Sequence, residues 1–86
     1  MIIKKELLKR EIAGETFLVP LGKTVYENNG LFYLTEVGGF LWDRLEQAQG
    51  EEELLAAVLE EYEIDEATAL ADIRAFLGKL TEMEII

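Results

Sequence analysis

Cysteine, histidine and serine are missing from these 86 residues, and proline occurs once. Without cysteine there is no disulfide to staple the chain, no thiol nucleophile and no thiolate ligand for zinc. Without histidine there is no imidazole ligand and no side chain that ordinarily titrates near neutral pH, so no Ser-His-Asp arrangement can form. Threonine is the only source of an aliphatic hydroxyl. The seven glycines form no Gly-x-Gly-x-x-Gly or P-loop pattern, so no phosphate cradle is indicated. Long apolar runs are also lacking, which excludes a membrane-spanning helix. Met1-Ile2-Ile3-Lys4-Lys5 lacks the apolar stretch and cleavage site of a secretory signal. The expectation is a cytoplasmic protein of one small domain, residues 1–86, with no metal and no cofactor.

Basic residues are scarce in one half only. Residues 1–44 carry six basic and six acidic groups, whereas residues 45–86 carry two basic and twelve acidic groups, so the second half holds the whole net charge of −10. Binding to nucleic acid draws on lysine and arginine at phosphates, and anionic lipid surfaces attract the same residues. Both are poor partners for that half.

What the chain does contain is half hydrophobic, and the period of those residues changes along it. Leu8, Arg10 and Ile12 alternate with Leu7, Lys9 and Glu11, and Phe17 and Val19 with Leu18, which predicts two strands. Ala13-Gly14 can turn between them, since glycine tolerates positive φ. Pro20 ends or borders the second strand. Thr24 to Glu27 has no clear assignment. Asn28-Asn29-Gly30 is a second turn signal leading into a short third strand, Leu31-Phe32-Tyr33-Leu34. Thr35 then reads as a helix N-cap with Glu36 favourable behind it. Val37, Phe40, Leu41 and Leu45 follow helical spacing up to Gln49-Gly50. The glycine pair Gly38-Gly39 is costly inside a helix and suggests that another backbone approaches there. Glu51-Glu52-Glu53 opens a second helix burying Leu54, Leu55, Val58, Leu59 and Tyr62. Asp65 caps a third, with the stripe Ala69, Leu70, Ile73, Phe76, Leu77 and Leu80. Met83, Ile85 and Ile86 form an apolar tail expected to fold back on the core. The fold class is α+β: a three-stranded antiparallel sheet followed by three helices, of winged helix-turn-helix-like build, with the third strand at or near a sheet edge.

Three features could carry chemistry or a ligand besides that edge. Glu51-Glu52-Glu53 needs no metal, because acids in a first helical turn complement the helix dipole. Glu60, Glu61, Glu63, Asp65 and Glu66 lack the spaced ligands and central glycine of a calcium loop. Among the aromatics, Trp42 reads as a core residue before a ligand anchor. Phe76 lies at the flank of the third helix's apolar stripe beside Asp72 and Lys79, where core and groove roles are equally open.

The ordered series of motifs resembles the PqqD-like family over essentially the whole chain. Arg10-Glu11-Ile12-Ala13-Gly14 with Phe17-Leu18-Val19-Pro20 is similar to that family's opening, and Leu34-Thr35-Glu36-Val37-Gly38-Gly39-Phe40-Leu41-Trp42 to its central segment. Glu53-Leu54, Glu61-Tyr62, Asp72-Ile73, Phe76-Leu77 and Leu80 resemble its helical half. Thr35 stands where the family commonly has asparagine, and Met83 or Glu84 where it commonly has glycine or another small residue. The resemblance implies a non-catalytic peptide-binding domain, a RiPP recognition element. Such a domain captures the leader of a ribosomally made precursor and presents it to a modifying enzyme, often a radical SAM protein. It further implies that the leader lies as an added strand between Leu31, Phe32, Tyr33 and Leu34 on one side and Asp72, Ile73, Phe76 and Leu80 on the other. A free strand edge is a ready template for such pairing.

Two other functions fit a chain of strands then helices. One is an adaptor holding a segment of an ordinary protein. The other is a DNA-binding regulator, against which the third helix counts: it sets Asp65, Glu66 and Asp72 against Arg74 and Lys79.

Overall fold

In the computed structural model, residues 1–24 and 32–86 are described. Strands β1 (Leu7–Ile12), β2 (Glu15–Pro20) and β3 (Phe32–Leu34) are followed by helices α1 (Glu36–Leu45), α2 (Glu51–Glu61) and α3 (Glu66–Glu82), the order the sequence predicts. The sheet is antiparallel in the order β1-β2-β3, so among the described residues β3 is an edge. Lys9 pairs with Leu18 and Leu18 with Phe32, while Arg10 pairs with Phe17 and Phe17 with Tyr33. Because successive side chains alternate between faces, the first row turns inward and the second outward. Leu18 and Leu34 are accordingly buried, whereas Tyr33 remains 56% exposed.

The Asn28-Asn29-Gly30 turn and Leu31 lie outside the described residues, as do Val25 to Glu27. Thr24, left unassigned by its sequence, does not extend β2. It is buried, and its hydroxyl accepts a hydrogen bond from the Glu6 amide.

The helices share one core with the inner face of the sheet. Leu41 and Leu45 of α1, Leu54 and Val58 of α2, and Ala69, Ile73 and Leu80 of α3 are all buried in it. Local chemistry fixes the helix starts. The Thr35 hydroxyl accepts from the Gly38 amide at 3.0 Å, and Asp65 accepts from both the amide and the hydroxyl of Thr68. These bonds satisfy amides that a helix start leaves without partners. Threonine thus does the capping expected of the family's asparagine.

Several expectations need correction. Helix α1 ends at Leu45, not at Gln49-Gly50, and Gly50 is the N-cap of α2. Its carbonyl end is satisfied instead by the Met1 amino group, which donates to the Leu45 and Ala48 carbonyls. Leu59 is 37% exposed, not buried. At 100° per residue it lies about 120° from the centre of the stripe set by Leu54 and Val58, off the buried face. Leu55, Tyr62 and Trp42 are half-buried. Gly38 and Gly39 admit side chains rather than a second backbone. A β-carbon at Gly38 would meet the Thr35 hydroxyl and Leu34, and one at Gly39 would meet Thr16 and Lys9.

The apolar tail does fold back. Glu84 takes left-handed backbone, φ 59. The Glu84 amide donates to Thr81 and the Ile85 amide to Leu80, the pattern of a Schellman stop. Ile85 is thereby buried, and its carbonyl accepts from the Lys4 amide. Among the described residues no helix is long and apolar enough to cross a membrane.

Candidate functional site: a groove between the β3 edge and helix α3

Strand β3 pairs with β2 along one side, and among the described residues no strand pairs with its other side. An unpaired edge presents backbone donors and acceptors to whatever lies alongside. Here that is an open groove of about 580 Å³. One wall is Phe32, Tyr33 and Leu34, the floor is Thr35, Val37, Gly38 and Leu41 at the start of α1, and the far wall is Asp72, Ala75, Phe76 and Lys79 of α3.

Gly38 lines the groove and places no β-carbon between Leu34 and the cap hydroxyl of Thr35. The strand wall is braced from the sheet. Tyr33 packs edge-to-face on Phe17 with ring centroids 5.7 Å apart. Such a pair contributes beyond its buried area and holds the tyrosine at the rim while most of it stays exposed.

The helix wall follows from angular position. Ala69, Ile73 and Leu80 form the buried centre of the α3 stripe. Asp72, Ala75, Phe76 and Lys79 stand at i, i+3, i+4 and i+7, a single adjoining face. Phe76 is at the border of the two faces: half-buried, it packs against the core and still lines the groove.

Of the positions singled out by sequence, Phe32, Tyr33, Leu34, Asp72 and Phe76 come together on this groove. Leu31 falls outside the described residues. Ile73 and Leu80 do not line the groove. They are buried at the centre of the stripe, so they support the wall from behind. Sequence reasoning missed Thr35, Val37, Gly38, Leu41, Ala75 and Lys79. Ala75 and Lys79 were detectable, since both share the helical face of Asp72 and Phe76. Trp42 lines a different hollow, with Ile3, Leu7 and Leu21.

The titratable side chains of the groove are Tyr33, Asp72 and Lys79. Among the described residues no cluster of three or more carboxylates could hold a metal ion. Backbone groups on one wall and apolar surface on the other suit an extended peptide.

Three comparisons bear on this geometry. Residues 15–86 match the profile of the family described as "Coenzyme PQQ synthesis protein D (PqqD)". Comparison with curated proteins gives no significant match. A solved structure described as TbiB1 in complex with the TbiA(beta) leader peptide is similar to this chain. It is 30% identical with a TM-score of 0.72, over 99% of this chain and 93% of that one.

Proposed function

Since this chain belongs to the PqqD family, we propose that it is a leader-peptide-binding domain, a RiPP recognition element that captures a precursor peptide by adding it as a fourth strand beside β3. The observation that carries the reading is the β3 edge, unpaired among the described residues, facing Phe76 across an open groove. The structural likeness to a domain in complex with a leader peptide supports it. Backbone pairing along Phe32–Leu34 supplies affinity for any extended chain, and alternate side chains of the peptide meet the apolar wall of α3, which supplies selectivity.

The domain itself performs no chemistry. It holds the leader so that the segment beyond it reaches a modifying enzyme, for which a radical SAM protein is the family's usual example. Binding of this kind contributes by raising the effective concentration of the substrate at its enzyme.

Phe76→Asp tests the groove. The substitution sets an unpaired carboxylate where an apolar side chain docks, and burying such a charge is costly. Titration calorimetry with the synthetic leader of its cognate precursor should show affinity falling about tenfold or more, or about 1.4 kcal/mol. Far-ultraviolet circular dichroism should stay unchanged. Undiminished affinity in the folded variant would place the peptide elsewhere.

A further inference from the structure

Residues 45–86 carry only two basic side chains, Arg74 and Lys79. Arg74 is committed: its guanidinium donates to both carboxylate oxygens of Glu51, at 2.9 and 3.3 Å. Lys79 takes part in no ion pair among the described residues, and it lines the groove. Asp72, the only carboxylate of the lining, is likewise in no ion pair among the described residues. The two stand seven residues apart, about 10 Å along the helix axis, with Phe76 between them. The groove therefore has an apolar centre, a positive end and a negative end, set into a half-chain with a net charge of −10.

We propose that Lys79, set against Asp72 across Phe76, selects peptides that carry an aspartate or glutamate two residues from the apolar side chain seated on Phe76. The inference rests on the reading of the groove as a peptide site and names what that site selects. Residues two apart in a strand point to the same face about 6.6 Å from one another. That spacing falls within reach of a lysine three residues, or about 4.5 Å, along the helix from Phe76. Asp72 gives the selection a direction. An acidic peptide residue at that end meets a like charge, so a reversed charge order is disfavoured. The long-range field of this protein works the opposite way. A net charge of −10 attracts basic peptides without regard to position, and salt weakens that attraction over about 8 Å at physiological ionic strength. An acidic residue enriched at one fixed spacing is therefore the signature of Lys79 and not of bulk charge.

The test uses random peptides as the probe. A phage-displayed library of linear peptides is selected on the full chain at physiological salt, and in parallel on Lys79→Glu and Phe76→Asp proteins shown to be folded by circular dichroism. Selection on the unaltered chain should yield an apolar residue with an acidic one two positions away. On Lys79→Glu that position should turn to lysine or arginine. A synthetic peptide of the selected type should bind about two- to fivefold more tightly than its Glu→Gln counterpart, the range of an exposed ion pair. That difference should vanish on Lys79→Gln. Apolar peptides that depend on Phe76 but lack the acidic preference, or keep it on Lys79→Glu, would overturn this inference and leave the peptide groove standing. Peptides indifferent to Phe76→Asp would overturn the groove and this inference with it.

Discussion

Two residues other than glycine hold left-handed backbone among those described, Ala13 with φ 53 and Glu84 with φ 59. Ala13 and Gly14 form the two-residue loop between paired Ile12 and Glu15, both with positive φ, as a hairpin turn of this length favours. Alanine has no side-chain carbonyl to ease that conformation, which costs an L residue about 1–2 kcal/mol. Ala13→Asn should therefore raise stability by about 1 kcal/mol, read as a higher urea midpoint. Glu84→Gly should do the same for the tail, because the Schellman stop requires the conformation and glycine adopts it freely. An unchanged midpoint in both would mean that neither position is strained. Asp65 shows how a single cap responds to pH. The hydroxyl of Thr68, then its amide, donate to this carboxylate and hold it below its ordinary range. The group's contribution is therefore complete above its unfolded value, about pH 3.9. It is lost as pH falls through the lower folded value. Asp65→Asn keeps an acceptor oxygen and cannot titrate, so its melting temperature should fall less than that of the parent chain below about pH 4.

Helix α1 carries two adjacent glycines with different surroundings. At Gly39 a β-carbon would stand 3.6 Å from Thr16, an ordinary contact, whereas at Gly38 it would come within 3.2 Å of the Thr35 hydroxyl that caps the helix. Helical glycine is about 1 kcal/mol less favourable than alanine. Gly39→Ala should therefore stabilise by up to that amount. Gly38→Ala should gain less or lose stability, and it should also weaken peptide capture, because Gly38 forms part of the groove floor. Thermal melts beside calorimetry separate the two effects. Equal gains from both substitutions, with unchanged binding, would refute the assignment. The pair also marks the boundary between local and tertiary signals. Period and caps revealed the elements: alternation around Leu8 and Leu18, the Thr35 and Asp65 caps, and the stripe of α3 are all local. What lies opposite Gly39, Thr16 and Lys9 of the strands, is tertiary, and what lies opposite Gly38 is the local cap hydroxyl and a leucine, so the predicted backbone approach proved to be side chains at both positions. The end of α1 escaped for the same reason, because its carbonyls are met by Met1, 44 and 47 residues away in sequence. The strand side of the groove was legible as an aromatic edge. The helix side was legible only to within one face, which is why Ile73 and Leu80 were placed a step too far outward.

At the scale of the whole molecule, charge and architecture are arranged unevenly. Residues 45–86, which hold α2 and α3, carry the net charge, while the strands sum to zero. Self-repulsion among acids destabilises a compact state and is screened by salt. Raising sodium chloride from about 10 mM to about 200 mM, which shortens the screening length from roughly 30 Å to below 10 Å, should therefore raise the melting temperature. The same asymmetry decides against the partner that strands followed by helices most readily suggest. A protein that binds duplex DNA must neutralise phosphates with lysine and arginine. The groove face of α3 sets the single cation Lys79 against Asp72, and Arg74 is already paired with Glu51. The remaining charge of that half is acidic. Fluorescence anisotropy with a labelled duplex at about 50 mM salt should show no complex up to about 100 µM protein, the weak limit of ordinary non-specific binding. The prediction is demanding, because low salt favours any electrostatic association that exists. A saturable complex at micromolar protein, weakening steeply as salt rises, would show that the basic residues of the strands, Lys9 and Arg10 among them, form a surface strong enough to outweigh the acidic helices. The groove beside β3 would then serve a regulator rather than a carrier of peptides.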